Sequence, residues 1–122
     1  MIRLKKILCP IDFSACSTYV LTYAIDLSLK YHASLYLLHV VETYMGDIGD
    51  ILKQIDLLLD DKQTDSFKMR LIDLIPAEIR TNIHIDTLVV KGTPFVEIIK
   101  ASKDNQIDLI VMGTHGKVYP IV

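Results

Sequence analysis

Hydrophobic residues fall into four short runs along the chain, at positions 6–11, 35–41, 83–90 and 107–112. Between these runs, apolar residues recur every three to four positions. Short apolar runs bounded by turn residues predict buried strands, whereas the three-to-four-residue period predicts helices. The pattern therefore predicts the element order β-α-β-α-β-α-β.

The first helix has a clear start signal. Ser14 stands at a cap position just after the first strand. Beyond it, six residues recur at helical spacing and predict one apolar stripe: Cys16, Val20, Tyr23, Ala24, Leu27 and Tyr31. We therefore expect the first strand to lead into a helix after a turn of about three residues.

The middle of the chain predicts either one interrupted helix or two shorter ones. A helical period covers positions 48–58 and resumes at 67–75, with an acidic, polar break at 60–65 and an end at Pro76. The third strand alternates apolar and polar residues at its start, which is typical of a strand toward the edge of a sheet. Thr93 then stands at a cap position, and Pro94 begins a helix that runs to about Asn105.

This order predicts a single α/β domain over residues 1–122 with an open, mostly parallel, doubly wound sheet. The composition agrees, since 51% of residues are hydrophobic and only 7% are aromatic. Ligands of such sheets bind outside the carboxyl ends of the strands. The positions to consider are therefore 10–14, 39–42, 91–94 and 112–117.

Charge and cysteine content exclude several classes of protein. The net charge is −2 with both signs interspersed, so we expect no nucleic-acid partner. No apolar run approaches the ~20 residues of a membrane span, and the opening segment is broken at Pro10 and Asp12, which predicts a cytoplasmic protein without a membrane partner. The spacing of Cys9 and Cys16 fits neither a redox motif nor a metal site, so both are expected to be reduced packing residues.

The strand ends also exclude several kinds of chemistry. The turn CPIDFSAC contains no glycine, which removes the dinucleotide fingerprint and the P-loop. Asp12 is the only carboxylate of the kind a phospho-accepting site would need, G-x-S-x-G is absent, and the four histidines form no i, i+4 metal pair. We interpret His39 as a hydrogen-bonded core residue and Ser14 as a cap. No catalytic residue and no metal site are predicted.

The segment GTHGK after the fourth strand leaves two interpretations open. Two glycines three apart allow the backbone to approach a ligand closely, and successive amides in such a turn attract anions, which favours phosphate binding. Alternatively, the glycines only reverse the chain direction.

Taken together, these strand ends resemble the universal stress protein family. The resemblance rests on KKILCPIDFS, ASLYLLHVVE, VVKGTPFVEIIKAS and IDLIVMGTHGK, in this order and over nearly the whole chain. It implies an α/β fold with strand order 3-2-1-4-5, usually a homodimer, in cytoplasmic stress-response proteins. ATP with Mg²⁺ is the candidate ligand, although no cofactor is obligatory.

The resemblance also implies a set of binding residues. Pro10, Ile11 and Asp12 would face the nucleoside, and Val40 would meet the adenine with its backbone. Met112 and Gly113 would line the pocket. His115 and Gly116 would lie along the phosphates.

The chain departs from the family pattern after Lys117. ATP-binding members continue with about nine residues, then G-[ST] and a further helix that holds the phosphates; here VYPIV follows at once. Either the natural protein lacks this segment, or an omitted segment separates Lys117 from Val118. Omission is favoured, because parallel pairing of the tail would need a crossover of a dozen or more residues. It predicts that the Cα atoms of Lys117 and Val118 are farther apart than the ~3.8 Å of a peptide bond.

The favoured function is a stress-response protein that binds an adenine nucleotide as a regulatory ligand. No general base is evident at the strand ends, so any ATP hydrolysis should be slow. The alternative is a dimeric interaction module of the same family that has lost nucleotide binding. In either case the last five residues, Val118 to Val122, are expected to form the dimer interface. A nucleotidyl-transferring enzyme is a distant third reading, since an H-x-G-H type of signature is absent.

Overall fold

The computed structural model describes residues 3–42, 61–114 and 117–121. They form one five-stranded sheet in the order β3-β2-β1-β4-β5, which confirms the expected order. The strands are β1 (Lys6–Pro10), β2 (Ser34–Glu42), β3 (Ile85–Gly92), β4 (Leu109–Thr114) and β5 (Lys117–Ile121). The first four are parallel, and β5 pairs antiparallel with β4.

Helices cover both faces of this sheet. They are α1 (Ala15–Tyr31), α2 (Asp61–Asp73), α3 (Ala77–Arg80) and α4 (Pro94–Asp104). Helices α1 and α2 pack on one face and α4 packs on the other. The arrangement is the predicted doubly wound sheet. None of the helices in the described part of the chain has the length and apolar character needed to cross a membrane.

The core follows the alternation of side chains along the strands. Ile7 and Cys9 in β1 are fully buried on the α1 side, whereas Leu8 between them is buried on the α4 side. In β2, Leu37 is buried on the α1 side and Leu38 on the α4 side. Because successive strand residues point to opposite faces, a strand covered on both sides must be apolar throughout. The strands therefore appear in the sequence as nearly continuous apolar runs.

Helix α1 begins as predicted but presents a different face to the core. The hydroxyl of Ser14 accepts a hydrogen bond from the amide of Ser17 at 3.1 Å, which confirms the cap. Tyr23 and Tyr31, expected on the buried stripe, are exposed by 44% and 42%. Leu21 and Ile25 are buried instead, so the prediction was wrong for these two tyrosines. Helical spacing defines several overlapping stripes, and packing on the sheet selects one.

Some predicted boundaries also differ. Helix α2 is described from Asp61 onward, so the polar segment 61–65 is helical and not a break. The predicted helical segment 48–58 lies outside the described residues. Beyond Pro76 the chain forms the short α3, which the sequence did not predict. Strand β4 ends at Thr114, two residues later than expected.

The turn between β3 and α4 uses glycine and proline. Thr93 occupies the N-cap position of α4 but makes no side-chain capping bond, contrary to its expected role, and Pro94 opens the helix. Gly92 has a φ of 152°, and an added Cβ there would lie 2.7 Å from Oε1 of Glu97. Backbone conformation and close contact together therefore favour glycine at this position.

The predicted separation of Lys117 and Val118 is wrong. Both lie in the continuous strand β5, where Lys117 pairs with Thr114 and Val118 pairs with Gly113. Only two residues of sequence stand between β4 and β5. Two residues suffice to join antiparallel strands, whereas the prediction had considered only parallel pairing. Val122, the last residue of the predicted interface strand, lies outside the described residues.

Candidate functional site

A cavity of about 390 Å³ opens at the carboxyl ends of β1, β2 and β4, between the first turns of α1 and α4. Its volume lies within the range of small-molecule sites. The cavity is lined by Pro10, Ile11, Asp12, Ser14, Cys16, Ser17, Leu38, Val40, Glu42, Pro94, Ile98, Met112 and Gly113.

Most of the residues selected from the sequence lie around this one cavity. They are Pro10, Ile11, Asp12, Val40, Met112 and Gly113. The remaining two, His115 and Gly116, lie outside the described residues. Asp12 and Gly113 follow different strands and are about a hundred positions apart in sequence, yet the sheet brings them to a shared edge. The role of these residues in binding stays a prediction.

Asp12 is held in place by the start of α1. Its carboxylate accepts a hydrogen bond from the amide of Ser14 at 2.9 Å. Partial burial acts to raise the pKa of Asp12, but hydrogen bonds from Ser14 and Ser17 outweigh this effect and hold the pKa below its ordinary value of 3.8. At neutral pH the cavity therefore carries an ionised carboxylate that can accept hydrogen bonds.

The lowered pKa of Asp12 predicts a pH dependence of stability. A carboxyl group with a lower pKa in the folded state stabilises the fold above its unfolded pKa, and this contribution is lost as the pH falls through the folded value. Asp12→Asn retains an oxygen that accepts from the amide of Ser14 but cannot ionise. Urea denaturation between about pH 5 and pH 2 should therefore show a shallower pH dependence for the variant than for the native protein.

The exposed Asp26 on α1, which does not line the cavity, provides the matched control as Asp26→Asn. This variant should follow the native pH profile more closely than Asp12→Asn does. Identical profiles for Asp12→Asn and the native protein would contradict the assignment.

His39 supports the loop that carries Asp12. Its Nδ1 donates a hydrogen bond to the carbonyl oxygen of Ile11 at 2.8 Å, and its ring packs against Phe13 and Phe67. This confirms the predicted hydrogen bond of His39, although the residue is half-buried and not part of the fully buried core. Phe13 adopts a φ of 63°, which is uncommon for a residue with a bulky side chain. The guanidinium of Arg70 lies 3.9 Å from the centre of the Phe13 ring and covers it. The residues on either side of Asp12 are thus held by contacts with β2 and α2.

Sequence reasoning missed part of the cavity. Leu38 and Ile98 form a buried apolar floor, and Glu42 and Pro94 stand at the strand and helix ends. Glu42 and Pro94 fell within the segments that the strand-end rule selected, but no motif singled them out. Leu38 lay within a predicted strand and Ile98 within a predicted helix, and nothing in a strand or helix pattern indicates which residue borders a cavity.

Cys9 is a reduced thiol, as expected. Cys9 is buried between the sheet and α1, and burial raises its pKa to about 12. Cys16 is half-buried and borders the cavity. Cys9 therefore acts as a packing residue. Within the described residues, no three His, Cys, Asp or Glu side chains come close enough to hold a metal ion.

Comparison with models of protein families shows which family the chain belongs to. The model of the universal stress protein family matches residues 3–119. The chain belongs to this family. Two universal stress proteins of Methanocaldococcus jannaschii are similar to it. MJ0577 is 28% identical over 126 residues, covering 93% of this chain and 78% of that protein. MJ0531 is 30% identical over 116 residues, covering 93% of this chain but 66% of that protein, just under two thirds of its length.

Solved structures of the family support the fold. The structure of MJ0577 matches with a TM-score of 0.73 and 28% identity, covering 95% of this chain and 78% of that one. UspA from Lactobacillus plantarum matches with a TM-score of 0.68 and 24% identity, covering 94% of this chain and 82% of that one. The parallel strands β1 to β4 are therefore those of a universal stress protein.

Proposed function

We propose that this universal stress protein binds an adenine nucleotide in the cavity at the strand ends and acts as a regulatory protein in the stress response. The observation that carries the proposal is the convergence of Asp12, Val40, Met112 and Gly113 on one cavity. These are residues that the family resemblance implies for a nucleotide site. The family resemblance implies ATP as the ligand and the cytoplasm as the location.

The lining supports a nucleoside ligand. Val40 and Met112 are half-buried, pack against Leu38 and Ile98, and provide apolar lining for a purine ring. Asp12 supplies an ionised acceptor for ribose hydroxyl groups. A pocket with an apolar body and a few fixed polar groups is typical of small-molecule sites. Among solved structures with this fold, one universal stress protein is in complex with cAMP and one from Arabidopsis thaliana has AMP bound.

The proposal assigns the nucleotide a regulatory role. Among the lining residues that the structure describes there are carboxylates and hydroxyls, but no histidine or lysine that could act as a general base. Hydrolysis of a bound nucleotide should therefore be slow. The ligand would act by favouring one conformation or one partner over another, to the extent that it binds the two states with different affinity.

Calorimetric titration of AMP into the native protein tests the site. We expect saturable binding with one site per chain. Asp12→Ala removes a charged acceptor, and hydrogen bonds to charged groups are worth about 1.5–3 kcal/mol, so the affinity should fall at least about tenfold.

Asp26→Ala removes an exposed carboxylate of α1 that does not border the cavity, and it should leave the affinity unchanged. Equal affinity of all three proteins would show that the ligand binds elsewhere. Absence of heat and of any spectroscopic change with AMP, adenosine and ATP alike would remove the proposed function.

The direct connection of β4 to β5 favours a second candidate, a dimeric interaction module that does not bind nucleotides. Among the described strands β5 has one neighbour, β4, and so leaves one edge available for pairing. In this candidate β5 would pair with the same strand of a second copy. Light scattering coupled to size exclusion distinguishes the outcomes, and a monomer at all accessible concentrations would oppose the module.

A further inference from the structure

The turn that carries Asp12 has an uncommon backbone conformation. Among the non-glycine residues that the structure describes, Phe13, His32 and Gln106 have a positive φ. His32 ends α1 and Gln106 lies just beyond α4, where a left-handed residue commonly terminates a helix. Phe13 precedes a helix instead, and a φ of 63° is costly for its bulky side chain. Such a conformation persists only where neighbouring groups hold it in place.

The conformation of Phe13 decides where the carboxylate of Asp12 lies. Oδ1 of Asp12 accepts a hydrogen bond from the amide of Ser14 at 2.9 Å, which closes a three-residue turn with Phe13 at its centre. If Phe13 left the left-handed region, the amide of Ser14 would turn away from Asp12. The hydrogen bond that orients this carboxylate at the cavity therefore depends on Phe13.

Side chains from β2 and α2 hold the ring of Phe13. His39 of β2 and Phe67 of α2 pack near it, with ring centres 4.7 Å and 6.2 Å away. The guanidinium carbon of Arg70, also in α2, lies 3.9 Å from the centre of the Phe13 ring. A guanidinium at this distance attracts the face of the ring and packs on it. Because Arg70 is exposed, this contact can be removed without opening a cavity in the core.

We infer that Arg70 is a positioning residue for the candidate site, which holds the carboxylate of Asp12 in its binding orientation through the ring of Phe13. Arg70 is not among the described residues that line the cavity, and no lining residue comes from α2. The inference therefore couples α2 to a site that this helix does not border. Its consequence for ligand binding rests on the proposed function, whereas its effect on the turn can be measured without a ligand.

Arg70→Met tests the inference, because methionine keeps an unbranched side chain but removes the guanidinium. In the ligand-free protein, we expect the amide of Ser14 to exchange with solvent deuterium about two- to fivefold faster than in the native protein. This is the range expected for the loss of one exposed cation–π contact that opposes local opening of the turn. Residue-resolved NMR measures the exchange rate.

Arg80→Met is the matched control. Arg80 donates to the carbonyl oxygen of Ile75 at 2.8 Å and lies 3.8 Å from a carboxylate oxygen of Asp73, so its replacement also removes contacts of an arginine, but none of them involves Phe13. This variant should leave the exchange of the Ser14 amide unchanged. Equal acceleration in both variants would indicate a general loss of stability and would overturn the inference.

Phe13→Gly distinguishes a path through the ring from a direct effect of Arg70. Glycine adopts a positive φ without strain, so the turn no longer needs a contact that holds the side chain. In this background, Arg70→Met should not change the exchange of the Ser14 amide, and the double-mutant cycle should show coupling between the two positions. The same acceleration in both backgrounds would contradict a path through Phe13.

Titration of AMP into the native protein and Arg70→Met connects the turn with binding. The affinity should fall, by at most the factor measured for the exchange, because only the closed turn presents the carboxylate of Asp12. Unchanged exchange of the Ser14 amide in Arg70→Met, or a higher affinity for AMP than in the native protein, would overturn the inference. Exchange that responds as expected without AMP binding to either protein would support the role of Arg70 and remove the proposed function.

Discussion

Replacement of Leu37 by alanine is expected to lower the free energy of unfolding by about 2–5 kcal/mol. Leu37 is fully buried in β2, between the central strand β1 and the edge strand β3, and it packs in the cluster under α1 and α2. Truncation removes apolar surface from the core and leaves a cavity that the neighbouring strands cannot close without shifting. Since small domains have only about 5–15 kcal/mol of stability, this loss is large.

Urea denaturation followed by circular dichroism measures the effect. Leu29→Ala is the matched control, because Leu29 lies on α1 with 37% of its surface exposed. This substitution should lower the free energy of unfolding much less than Leu37→Ala does. If Leu29→Ala and Leu37→Ala have equal stability, the position of Leu37 in the core is contradicted. Should Leu37→Ala not fold at 25 °C, its unfolding can be measured in the presence of a stabilising osmolyte such as sucrose.

Replacement of Val40 by phenylalanine is expected to lower the affinity for AMP at least about 100-fold, which corresponds to about 2.7 kcal/mol. Val40 lies at the carboxyl end of β2 and borders the cavity, so a larger side chain there would occupy the space proposed for the adenine. The loss would come from steric exclusion and not from a missing hydrogen bond.

Val90→Phe provides a close control. Val90 is the direct neighbour of Val40 across the β2–β3 pairing and is also half-buried, but it does not border the cavity. Both substitutions enlarge a side chain on the same face of the sheet, and overpacking costs about 1–3 kcal/mol in each case. Denaturation curves would establish that both variants are folded. Similar AMP affinities of the two variants would place the ligand away from Val40.

The strands could be predicted because their signal is local. Runs such as that around Leu8 and Cys9 are apolar at every position, since both faces of a parallel sheet are covered, and no other element of that length has the same pattern. Once the strands were known, the rule that ligands bind at their carboxyl ends selected Asp12 and Gly113. A central part of the candidate site was thus accessible without coordinates.

The sequence could not predict which apolar face of α1 packs on the sheet. The apolar spacing of α1 allowed a stripe that includes Tyr23 as well as one that includes Leu21 and Ile25, and the chain buries the latter pair. In a similar way, Leu38 and Ile98 border the cavity because a strand and a helix from distant parts of the chain meet there. The sequence around either residue does not indicate that it borders a cavity.

The direction of β5 was also decided by pairing. The sequence showed a strand-forming tail after the glycine turn but not its partner or its orientation, and the parallel arrangement assumed for it required a segment that the antiparallel arrangement does not. By itself, then, the sequence determined the elements, the class of sheet and the ends where a ligand would bind, because these depend on residue type and spacing along the chain. The tertiary structure decided the buried face of α1, the apolar lining of the cavity and the course of the last strand, because these depend on which distant surfaces come into contact.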